Sequence, residues 1–219
     1  VSGSAWRQSF RQLRSTFQQA RRYQDFMWLL ACATAYQGGV AVAITLAAIY
    51  AEQVIGFVQQ ETMVLIFVLN IAAMVGAFAF GYWQDRLGHK LALGITLVGW
   101  VVTCVIAAIT TTKGGFWYAA AIAGVCMGSS QSSGRAMAGM LAPPAQLAEF
   151  FGLWTFATRV ASIIGPLSYG AITWMTGGNQ RLAIGSTAVL FVIGLVLLIP
   201  VNMKRGRAAA LEPASVSGH

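Results

Sequence analysis

Four ionisable side chains, Asp85, Arg86, His89 and Lys90, fall within the decapeptide 81–90, GYWQDRLGHK, of a chain that is 57% hydrophobic and 9% charged. A carboxylate among cations can accept from a guanidinium or from a helix N-terminus, which is the chemistry of an electrostatic latch rather than of bond-making. Two further arginines stand inside apolar runs. Arg135 lies six residues before Leu141, or about 9 Å of helix, within snorkelling reach of an interface. Arg159 lies ten residues beyond Glu149, about 15 Å in, where facing lipid is costly. Such an arginine is expected to line a cavity, pair internally or bind an anion. No acid or histidine stands deep in an apolar run, because Asp25 and Glu149 sit at run edges and Asp85 in a connection. A proton relay through a membrane generally uses such groups, so none is expected within this chain.

The serine cluster 128–134, GSSQSSG, raises the chemistry of a nucleophile. A serine nucleophile needs a nearby base, and the two histidines, His89 and His219, stand in a polar connection and at the terminus. Gln131, Ser132 and Ser133 instead read as a polar helix face that lines a cavity or joins helices. Cys32, Cys104 and Cys126 are odd in number, lie within apolar runs and show no metal-ligand spacing, so they read as small packing residues. No enzyme constellation, metal site or cofactor motif emerges.

The elements that carry these residues are six apolar runs, 26–50, 62–83, 91–112, 116–141, 150–174 and 182–201, each long enough to cross a bilayer as a helix. Gly114-Gly115, Pro143-Pro144 and Gly177-Gly178 punctuate them. The expected fold class is an all-α membrane protein. Arg7, Arg11, Arg14, Arg21 and Arg22 precede the first run, Arg86 and Lys90 follow the second, and Lys204, Arg205 and Arg207 follow the sixth. Basic short loops stay in the cytoplasm, so both termini are expected there, and the net charge of +8 reads as topology rather than a nucleic-acid surface. The organisation expected is a cytoplasmic amphipathic helix over 1–24, a transmembrane bundle over 25–203 and a cytoplasmic basic tail over 204–219. In the first of these, Trp6, Phe10, Leu13 and Phe17 recur at helical spacing beside arginines, which suits either the headgroup layer or packing on the bundle. The first apolar run stands too far from the start for a cleavable signal, and Val1 points to a fragment, a processed chain or an alternative start.

Close helix approach in lipid depends on small residues, and Ala73, Ala77 and Gly81, Gly124 and Gly128, and Ala161 and Gly165 recur every fourth residue. Trp28, Trp83, Trp117 and Trp174 lie near run ends, where headgroup anchors belong.

The decapeptide fits Gly-x-x-x-Asp-Arg-x-Gly-x-Lys through Gly81, Asp85, Arg86, Gly88 and Lys90, and so resembles the cytoplasmic loop of the major facilitator superfamily. QSSGRA (131–136), PPAQLAEFFGL (143–153), GPLSYG (165–170) and NQRL (179–182) resemble the second half of the vacuole-effluxer-like family, which includes vacuolar amino-acid exporters. Where that family commonly reads Tyr-Asn-Asp-Gly, this chain has YQGG, with Gly38 in the acidic position.

The resemblance implies helices seven to twelve of a twelve-helix transporter, built as two inverted three-helix repeats with a site near the midplane. Its implied gating loop is Gly81, Asp85, Arg86, Gly88 and Lys90, with Arg135 as the expected partner of Asp85. Its implied substrate residues are Tyr36, Gln37, Gln131 and Arg159, with Asn70 beside them. The implied function is alternating-access movement of a small polar, amino-acid-like solute, across a bacterial inner membrane or a vacuolar membrane. The implied partners are the bilayer, a small-molecule substrate, and an N-terminal six-helix half or a second copy. A facilitator-derived subunit that binds or assembles another membrane complex is the alternative.

Overall fold

The computed structural model describes the backbone of residues 2–212 and the side chains of residues 11–212. The side chains of Trp6, Arg7 and Phe10, and the end of the tail, 213–219 with His219, lie outside the described residues. Among the described residues there are eight α-helices: α1 (Ser2–Ala20), α2 (Gln24–Tyr50), α3 (Gln59–Leu87), α4 (His89–Ile109), α5 (Lys113–Leu141), α6 (Leu147–Met175), α7 (Gln180–Leu198) and α8 (Met203–Leu211). A π-helical turn, Ala51–Ile55, extends α2, and Gly56 stops it at φ 81°, a left-handed conformation that suits glycine.

Among the described residues, five segments are long and apolar enough to cross a membrane: Gln24–Ile55, Gln59–Leu87, His89–Ile109, Pro144–Met175 and Gln180–Leu198. The remaining expected run, the fourth, 116–141, folds as α5, 29 residues or about 43 Å long, yet does not reach that apolarity. Its middle, Ser129 to Arg135, is polar at almost every position, which is the physical reason for the difference.

The helices pack α5 against α3 and α4, α2 against α6 and α7, and α4 against α7. The contacts of α3 with α5 are backbone on backbone. A Cβ on Gly124 would lie 2.6 Å from the Ala72 Cβ, and one on Gly128 would overlap the Ala73 carbonyl. On α3 the matching glycine is Gly76, whose Cβ would lie 2.6 Å from the Val125 Cα. Gly81, expected to let helix ends meet, has nothing within 4 Å of its Cβ position, so that approach is made one turn earlier in α3. Between α2 and α6 the meeting point is Gly38 and Gly165, where a Cβ on Gly165 would lie 2.9 Å from the Gly38 Cα. Trp100 of α4 stacks on Phe191 of α7, with ring centroids 5.1 Å apart and planes 3° from parallel.

At one end of the bundle, the expected basic tail begins as α8 and clasps the first apolar helix. Asn202 caps α8, its side chain accepting from the Lys204 and Arg205 amides. Asp25, buried at the start of α2, accepts from the Asn202 amide at 2.7 Å and from the Arg205 fork at 2.9 and 2.8 Å. That bidentate geometry is the strong form of a carboxylate pair, and the carboxylate raises the Arg205 pKa above its ordinary value. Gly206 lets α8 sit this close, since a Cβ there would lie 2.8 Å from the Asp25 Cβ. Beside the clasp, α1 rests on α6 through buried Thr16 and Ala20 and a Gln146–Gln19 hydrogen bond of 3.2 Å. Phe17, expected on the apolar stripe, stays 42% exposed, so α1 docks by a face about 100° away from it.

Candidate functional site

The polarity that costs α5 its hydropathy is used to bind three other helices. Ser129 shares a short hydrogen bond with Thr96 of α4. Ser133 donates to Gln84 of α3 at 2.8 Å. Gln131 and Gln37 of α2 form a reciprocal amide pair, each side chain donating once, at 2.9 and 3.2 Å. Two successive turns of one helix thus reach three neighbours, and each of these buried polar groups finds the partner that a low dielectric demands. The Gln37–Gln131 pair is neutral, and it joins two of the residues singled out in the sequence. Amides paired this way can exchange each other for a ligand's donors and acceptors at little net loss of hydrogen bonds.

The other two expected substrate residues stand apart. Tyr36 is 0% exposed, its hydroxyl has no partner among the described residues, and it abuts Gly134 of α5. It is a packed core ring beside the amide pair and not a free wall of a cavity. Arg159 projects from the middle of α6, exposed, with no ion pair or hydrogen bond from its guanidinium among the described residues.

The loop residues also divide. Gly88 turns the chain from α3 to α4 at φ 90°, a conformation that suits glycine. Arg86 lies over the Tyr82 ring, 4.7 Å from its centroid. Lys90 reaches away from the loop to the end of α7, donating to the Ile199 carbonyl at 2.8 Å and the Val201 carbonyl at 2.7 Å. It therefore satisfies the orphan carbonyls of a helix C-terminus, where a cation is favoured. The expected Asp85–Arg135 latch is not formed. Both side chains are exposed, and the ion pairs among the described residues are Lys113–Glu61 and Arg205–Asp25. The reason is helical phase: buried Gln84 faces α5, so Asp85, about 100° further round, points off that face.

A cavity of about 350 Å³ opens among α2, α3, α4, α5 and α7. Its wall is mostly alanine, leucine and aromatic side chains, with Asn70 at one edge. Trp100 and Thr103 also line it, and the Trp100 Nε1 and Thr103 Oγ1 have no partner among the described residues. Neither residue was singled out by the sequence, and the available signal was slight: a tryptophan in mid-run, away from the interface where it usually anchors. Along α2 and α5 the cavity runs from Gly39 and Met127 away from the amide pair, so Gln37 and Gln131 stand at one end of it.

A family model described as vacuole effluxer Atg22 like matches residues 3–211. An uncharacterized MFS-type transporter, YxiO, of Bacillus subtilis (strain 168) is 30% identical over 190 residues, which are 87% of this chain and 44% of that protein. Autophagy-related protein 22 of Cryptococcus neoformans var. neoformans serotype D (strain B-3501A) is 28% identical over 187 residues, 78% of this chain and 34% of that protein. Autophagy-related protein 22-1 of Penicillium rubens is 24% identical over 217 residues, 93% of this chain and 36% of that protein. The chain spans less than half the length of each of these relatives. Helices of membrane length, the loop pattern around Gly88 and a match over nearly the whole chain agree: this is a multi-pass membrane protein of the vacuole effluxer Atg22-like family, a family of MFS-type transporters and not of enzymes.

Proposed function

We propose that the chain works as one six-helix half of a secondary transporter, with α5 as the fourth of six crossing helices. It joins a second half, or a second copy, to move a small polar, amino-acid-like solute by alternating access. The reading rests chiefly on the Gln37–Gln131 pair, a neutral hydrogen-bonding site held between α2 and α5. Arg159 supports it, since an exposed guanidinium halfway along a membrane-length helix has to face water or a partner rather than lipid. In this role it meets the anionic part of the solute. In proteoliposomes of the full-length protein, Arg159→Lys keeps the charge, loses the planar fork and is expected to lower solute exchange at least about tenfold. Exchange and binding equal to the parent's would remove Arg159 from the site.

Both termini, the Asp85 loop and the Pro143-Pro144 connection face the cytoplasm in this reading, on the asymmetry of basic residues. Single cysteines at positions 57 and 178 are then labelled from outside intact cells, and those at 86 and 145 are not. The reverse pattern would invert the topology.

A further inference from the structure

The N-terminus of α4, the C-terminus of α7 and the start of α8 enclose a cleft of about 720 Å³. Its walls change character along the helix axes. The apolar part runs between α4 and α7 over Leu91, Gly94, Leu195 and Leu198, and Gly94 leaves room there, because a Cβ would only touch Leu198 at 3.7 Å. The outer rim holds His89, Lys90 and Lys204, and among the described residues no acidic side chain lines the cleft. Asp25, within electrostatic reach of Lys90, is already neutralised by Arg205. Lys204 is exposed and its ammonium has no partner among the described residues, while the His89 Nδ1 is buried and unpartnered. Among the described residues no side chain caps the first turn of α4, whose free amides add positive character at the same rim. Leu91 and Ile199, at 53% and 71% exposure, carry the apolar wall outward to the surface of two helices of membrane length.

An apolar groove that begins at a bilayer-facing surface and ends under two lysines and an imidazole has the chemistry of one kind of molecule. We propose that it seats an anionic phospholipid, with one acyl chain along Gly94 between α4 and α7 and the phosphate under Lys204 and His89. Lys90, held by the α7 carbonyls, supplies a fixed charge behind that phosphate. The inference needs α4 and α7 to cross a bilayer, but not that the chain transports anything.

The test uses the full-length protein purified in an uncharged detergent, an assay without sidedness or transport, so its failure is distinct from failure of the transport reading. Phosphatidylglycerol added to the micelles raises the thermal unfolding midpoint, as a ligand bound only by the folded state must. Phosphatidylcholine with the same acyl chains does not, nor does inorganic phosphate. Lys204→Ala weakens the apparent affinity for phosphatidylglycerol about fivefold, the effect expected of one basic residue at a membrane surface. Gly94→Leu fills the groove and removes the midpoint shift, while the parent's helical circular dichroism is retained. An equal shift from phosphatidylcholine would overturn the proposal, because charge would not be read. An equal shift from inorganic phosphate would overturn it too, leaving an ion site without a lipid. Unchanged affinity in Lys204→Ala would place the lipid elsewhere, whatever the behaviour of Gly94→Leu.

Discussion

Gly128→Val is expected to abolish the folded protein, with no monodisperse peak on size-exclusion chromatography after detergent extraction. The new Cβ would overlap the Ala73 carbonyl oxygen and lie 2.9 Å from the Ala77 amide nitrogen, both of them backbone atoms of α3. A side chain can rotate aside from such an overlap, but a helix backbone must move bodily. Overpacking a well-filled interior costs about 1–3 kcal/mol even where side chains yield, against a total stability of about 5–15 kcal/mol. Here the displacement would also pull apart the Gly124 and Gly76 contacts on one side and the Ser133–Gln84 hydrogen bond on the other. Gly81→Val is the matched control on α3, because its Cβ enters open space, and it should elute like the parent. Two variants with the same profile would mean that the α3–α5 contact does not hold the bundle together.

Gln37→Leu should lower the unfolding midpoint and reduce solute exchange by at least about tenfold. The substitution leaves the Gln131 amide without its partner, and a stranded buried amide costs about 1–3 kcal/mol. Gln131→Leu should cost a similar amount for the same reason. The double variant Gln37→Leu/Gln131→Leu removes both polar groups together, so its midpoint should recover toward the parent's, while exchange stays lost for want of the hydrogen-bonding site. Between single and double variants the midpoint therefore recovers while exchange does not. A double variant as unstable as the sum of the singles would show that the amides are not paired in the folded protein.

What the sequence makes legible is whatever depends on local spacing. Apolar runs of membrane length foretell the helices, and the YQGG and GSSQSSG stretches stand out because amides and hydroxyls are scarce inside such runs. That is why Gln37 and Gln131 could be singled out although 94 residues separate them. What stays hidden depends on the rotational phase of one helix against another. Asp85 and Arg135 look complementary as types, yet it is Gln84, one position back, that faces α5. Tyr36 and Gln37 are neighbours in the chain, but one is a packed ring and the other a paired amide, a difference of a third of a turn. Lys90 reads as part of a loop motif and is occupied by the far end of α7, 109 residues on. The void beside Trp100 leaves no trace in periodicity at all, since a cavity is what several helices jointly fail to fill.

The clasp between Asp25 and Arg205 imposes an order in time. The two residues are 180 positions apart, so at ordinary rates of synthesis, about 5–20 residues per second, the guanidinium is made about 10–40 s after the carboxylate. Until then the Asp25 carboxylate lacks both the Asn202 amide and the guanidinium fork that hold it in the finished bundle. Of the two helices joined by the clasp, the later one made is thus the one that seats the earlier, α2. Closure of this end of the bundle therefore waits on α8, and a product that stops short of Arg205 is distinguishable from one that contains it by an unmasked acid at the head of α2.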